Sequence, residues 1–96
     1  MNYTTITVGE KEIKLKLTLA AACELEDKLN KNPLLIFAAD MPRLRDVCQL
    51  LICAGATEDQ IAQWMDEGHS FNDLIKLALD VFKAAGLISK KEEKNA

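Results

Sequence analysis

Aromatic side chains are scarce in this chain, with one Trp, one Tyr and three Phe among 96 residues. The core must therefore be filled chiefly by Leu, Ile and Ala. Histidine is scarcer still. His69 is the only one, and it falls in an expected loop, so no Cys–His pair is indicated. The three cysteines, Cys23, Cys48 and Cys53, are odd in number and include no CxxC pair. That argues against a disulfide framework or a zinc knuckle. Each lies in an apolar helical pattern and reads as a small core or near-core residue in a reducing compartment. The four glycines all have turn or cap positions to fill. No P-loop, GxGxxG, HExxH or EF-hand pattern is present. The carboxylates are scattered over polar faces, and no pair is placed for acid–base work. The expectation is no enzyme, no cofactor and no metal.

Basic residues are not in excess either. Lys and Arg total 12 against 15 Asp and Glu, a formal net charge of −3. A phosphate-binding surface is therefore not the main business of the chain. No apolar run approaches the ~20 residues needed to span a bilayer. The first residues show no basic segment followed by an apolar one, so no secretory signal is expected.

What is present is an ordinary globular balance, 49% hydrophobic and 28% charged. One domain with one modest core is expected over residues 1–88, followed by a solvated charged tail over 89–96. The fold class is α+β and mainly α, an N-terminal β-hairpin followed by four or five packed helices. The hairpin spans 3–17. Thr4, Ile6 and Val8 alternate on one strand, and Ile13, Leu15 and Leu17 on the next. Two registers are open. A two-residue Gly9-Glu10 loop sets Val8 against Lys11. A four-residue loop sets Val8 against Ile13 and Ile6 against Leu15. The second is favoured because it pools the apolar residues. Thr5, Thr7, Lys14 and Lys16 then face water.

Helices are expected at about 19–30, 33–39, 42–54, 58–67 and 71–85. Thr18 is the N-cap of the first, whose apolar face carries Leu19, Ala22, Cys23, Leu25 and Leu29, with Asn30 as its left-handed stop. Glu26 interrupts that face. It reads either as a rim carboxylate reaching water or as a partly buried acid waiting for a partner's cation. Asn32-Pro33 starts the second segment, where Leu34, Leu35, Ile36 and Phe37 cannot all point inward. Asp40-Met41-Pro42 starts the third, with Leu44, Val47, Cys48, Leu51 and Ile52 on its inner face and Gly55 as its stop. Thr57 and Gln60 form a capping box for the fourth, and Ser70 with Asp73 a shorter version for the fifth. Leu87 and Ile88 are expected to pack back on the domain.

Residues 57–74 loosely resemble a helix-turn-helix. The turn is too long, however, and the second helix offers only Lys76 and Lys83 as bases, so nucleic-acid binding is not expected.

The passage TITVGEKEIKLKLTLAAACELEDKLNKNPLLIF resembles the tail assembly chaperones of long-tailed bacteriophages. Ile6, Val8, Ile13, Leu15 and Leu17 match that family's hairpin. Leu25, Glu26 and Leu29 match its first helix, and Asn32-Pro33 the exit. TEDQIAQWMDEG is similar to its Thr-led acidic helix. Two positions depart, Asn30 where Gly is usual and Gly9-Glu10-Lys11 at the turn. The resemblance implies a non-catalytic assembly factor in the host cytoplasm, absent from the finished virion. It implies the tape measure protein and the tail tube protein as partners, and a homo-oligomer is compatible with it. It also implies that a frameshift near Lys90-Lys91 can append a second domain. A tape measure segment is helical and apolar, and apolar grooves between helices accept such segments. Leu35, Phe37, Trp64, Met65 and Phe71 are the candidate partner-binding residues. Core packing is the competing reading for each. On the binding reading, Trp64→Ala weakens capture more than it lowers melting temperature. The alternative function is a generic helical adaptor domain, and after it a small DNA-binding regulator.

Overall fold

The computed structural model describes residues 3–38 and 42–86. Two antiparallel strands, β1 (Thr4–Val8) and β2 (Lys11–Leu15), are followed by four α-helices, α1 (Leu19–Leu29), α2 (Leu44–Ala54), α3 (Glu58–Asp66) and α4 (Phe71–Ala84). A short 3₁₀ segment, Pro33–Phe37, lies between α1 and α2. This is the expected hairpin-plus-helices fold. Met41, Asp40, Leu87, Ile88 and the tail lie outside the described residues.

The hairpin takes the tighter of the two registers. Val8 pairs with Lys11, Ile6 with Ile13 and Thr4 with Leu15. The four-residue loop is thus corrected to a two-residue one, Gly9-Glu10. The apolar argument could not separate the two, because they differ by two residues and a shift of two keeps every side chain on its face. The turn decided instead. Gly9 has φ +64° and Glu10 does not share the positive φ, the pattern of a type II′ turn with Gly first. The Gly9 N–H then donates to Glu67 Oε2 at 2.7 Å, tying the turn to the end of α3. Thr5, Thr7, Lys14 and Lys16 are exposed as expected.

Local signals set most helix ends. Thr18 accepts from the Ala21 N–H, and Asn30 closes α1 at φ 58°. Asn32 accepts from the Leu34 N–H at the head of the 3₁₀ segment. Both expected capping boxes form, at Thr57/Gln60 and Ser70/Asp73. The start of α2 differs. It begins at Leu44, two residues after Pro42, and Arg43 holds the N-cap position without a side-chain bond.

Helix α2 packs against α1, α3 and α4, while α3 and α4 also meet β1. Leu15, Leu25, Leu50, Leu51, Val47, Leu74, Val81 and Phe82 are wholly enclosed between them. The Lys16 N–H donates to Ala54 O at 2.9 Å, fastening the strand to the end of α2. Gly55 suits this joint by its backbone conformation rather than by its lack of a side chain. Its φ is +126°, and a Cβ there would sit 3.4 Å from Lys14 O.

One buried ion pair escaped the periodic reading. Asp46, in the first turn of α2, is 5% exposed and bonds Lys31 Nζ at 2.8 Å. The pair joins the loop after α1 to the head of α2.

Candidate functional site

Helix α1 carries two adjoining stripes. Ala22, Leu25 and Leu29 turn toward the core. Leu19, Ala22, Cys23 and Glu26 follow at i, i+3, i+4 and i+7 and line a groove shared with the 3₁₀ segment. Asn32, Pro33 and Leu34 form the facing wall, and Phe82 lies at the floor. The groove holds about 180 Å³. That is of the order of an engineered cavity, ~150 Å³, that holds one benzene. There is room for about one bulky apolar side chain.

Two corrections follow. Leu19 and Cys23, expected on the core face, are outside; Leu19 is 77% exposed. Both lie on the side of α1 that lines the open groove. Leu44, expected on the inner face of α2, is 55% exposed at the residue that opens the helix. In the 3₁₀ segment the crowded run resolves as geometry demands. Ile36 turns in, and Leu34 and Leu35 stay out at 47% and 53%.

The groove wall is mostly carbon. The Asn32 Oδ1 is occupied by the Leu34 N–H at 3.0 Å. Glu26 is exposed at the rim and supplies the one charge among the lining residues. Such a site gains free energy by excluding water from carbon, and its carboxylate can select a cation beside the apolar contact.

The five candidate residues do not form one surface, and none lines the groove. Leu35 is exposed beside it. Phe37 is half-buried, its ring 5.4 Å from that of Phe82. Trp64 is 7% exposed and stacks on His69 at 3.8 Å, so its ring belongs to the core. Met65 and Phe71 are partly buried and pack against the same cluster. Trp64→Ala is therefore expected to lower the melting temperature through lost core packing, whatever it does to capture. The signal that could have found the groove was Glu26, the acid that splits the apolar arc of α1.

Cys48 and Cys53 offer little nucleophilic chemistry. Burial pushes the thiols of Cys48 and Cys53 up, with Glu58 beside the first acting in the same direction. His69 stacks on Trp64 and lies 3.8 Å from Asp73 Oδ2. Among the described residues no group of three His, Cys, Asp or Glu could hold a metal ion, and no helix is long and apolar enough to cross a membrane. Comparison with family models, curated proteins and solved structures returned no match.

Proposed function

We propose that this chain is a non-catalytic binding protein, a tail assembly chaperone that holds an apolar helical segment of a tape measure protein and helps recruit tail tube subunits around it. The observation that carries this reading is the apolar groove between α1 and the 3₁₀ segment, with Leu19 and Leu34 exposed on its two sides. A helix that places a large apolar residue in the groove covers both leucines at once. A Lys or Arg one turn away then meets Glu26. The resemblance of the hairpin, first helix and Asn32-Pro33 exit supports the family. On this reading the protein works in the host cytoplasm and leaves before the virion is finished.

The second reading is a helical adaptor for another class of partner, favoured by the same groove, whose carbon lining is not particular to one protein. Co-expression with the tape measure protein of the same genome separates the two. A chaperone keeps that protein in the soluble fraction. The Leu19→Asp/Leu34→Asp variant then loses it while melting like the parent, because both side chains are exposed. If the parent chain leaves the tape measure protein insoluble, the chaperone reading falls. If parent and variant rescue it equally, the groove is not where it is held. Cys23 gives an independent check, since a partner seated in the groove should slow its reaction with a maleimide.

A further inference from the structure

A second surface lies on the seam between the end of α1 and the start of α2. Lys28, Arg43 and Arg45 line a cleft of about 430 Å³ there, walled by Leu29 and Gln49. The one acid in it, Asp46, is already matched by Lys31. Lys28, Arg43 and Arg45 are exposed, and among the described residues none of them has an ion-pair partner. Three cations without an ion-pair partner among the described residues thus line one cleft of a chain whose formal net charge is −3. The head of α2 adds to them. It has no side-chain cap, so its first N–H groups add partial positive charge at that end.

Further along α2 the surface changes character. Leu44, Cys48 and Ile52 line an adjoining depression that shares Arg45 and Gln49 with the cleft and carries one acid, Glu58, against the three cations. Leu44 is 55% exposed. Gln49 Oε1, between the two, is buried with no hydrogen-bond partner among the described residues. A cationic end is therefore continuous with one of mixed lining, in which Leu44 and Ile52 are the large apolar residues, and a polar atom at the junction lacks a donor among the described residues.

The geometry points to this face as a docking surface for an acidic amphipathic helix of another polypeptide. Its carboxylates pair with Lys28, Arg43 and Arg45, and its apolar side chains cover Leu44 and Ile52. Charge complementarity chooses the occupant. A basic helix is repelled by the three cations. A nucleic acid is repelled by the negative chain as a whole and has nothing to lay against Leu44. No residue is common to this face and the α1 groove, so the inference does not rest on the chaperone reading.

The test is fluorescence polarisation with the full chain and a labelled synthetic helix carrying Glu and Leu on one stripe. A copy with every Glu replaced by Lys and a single-stranded oligonucleotide serve as comparisons. The Glu peptide is expected to bind and to weaken as salt is raised. Arg43→Glu/Arg45→Glu should weaken it at least about tenfold, while Leu34→Asp leaves it unchanged. Both arginines are exposed, so the variant is expected to fold. If its melt drops, Arg43→Gln/Arg45→Gln replaces it and should give a smaller loss in the same direction. Equal binding of the Lys peptide, tighter binding of the oligonucleotide, or an affinity that ignores both arginine variants would each overturn the assignment. So would failure of the Glu peptide to bind, whether or not sedimentation shows these arginines joining copies of the chain.

Discussion

Lys31→Met isolates what the buried ion pair does. The Asp46 side chain is 7% exposed and that of Lys31 is 33% exposed, with 2.8 Å between the charged atoms. Removing one partner of a fully enclosed pair costs about 3–5 kcal/mol. Here one partner keeps contact with water, so a charged hydrogen bond of ~1.5–3 kcal/mol is the better measure. About 2 kcal/mol is expected for Lys31→Met, because the Asp46 carboxylate stays behind without its cation. Asp46→Asn should cost less, about 1 kcal/mol, because the lysine can swing into solvent. The double variant should cost less than the sum, leaving a coupling of ~1–2 kcal/mol. In a domain of this size 2 kcal/mol lowers the melting temperature by roughly 8–16 °C. Urea unfolding followed by far-UV circular dichroism gives all four corners of the cycle. Strictly additive costs, or a Lys31→Met cost below about 0.5 kcal/mol, would refute the reasoning. The head of α2 would then be stabilising the carboxylate without the lysine.

Trp64→Ala should cost about 3–5 kcal/mol and bring the domain close to unfolding at ambient temperature, as read by thermal melt. A variant melting within a few degrees of the parent would show that the ring is not core. Gly9→Ala forces a side chain into φ +64° and places its Cβ 2.9 Å from Gln63 Nε2. A loss of ~1–2 kcal/mol is expected, and Gln63→Ala should not restore it, since the backbone strain remains. Full recovery in the double variant would assign the loss to the clash alone. At Asp73 the hydrogen bond donated by the Ser70 N–H, helped by the Ser70 hydroxyl, holds the carboxyl below the ordinary aspartate value. The stabilisation is thus present above that value and lost as pH falls through the lower, folded one. The gap in melting temperature between the parent and Asp73→Asn should therefore be constant near neutrality and narrow below pH ~4. A gap independent of pH would mean that the charge contributes nothing to the cap.

Capping chemistry was the most legible layer. Thr18, Asn30, Asn32, Thr57 with Gln60, and Ser70 with Asp73 all act where their residue types place them. A cap bonds groups two to four residues away, so its geometry is complete within the segment. Burial was legible only along the middles of helices. Leu25, Leu51 and Leu74 turn inward as their periodicity requires, but Leu19 and Leu44 do not. Both stand at helix starts, and a period cannot say how far the opposing layer extends. For the same reason Trp64 and Phe37 could not be told apart as core or surface.

The order of residues alone determined the hairpin, the helix stops and the run of four apolar residues after Asn32-Pro33 that could not all be buried. These depend on backbone conformations and bonds settled between near neighbours. The register of the hairpin, the pairing of Lys31 with Asp46 and the separation of an apolar groove from a cationic cleft were decided by the assembled structure. Each rests on groups that chain topology brings together. Glu67 against Gly9 is the plainest case, a contact across 58 positions that exists only once α3 has packed on β1.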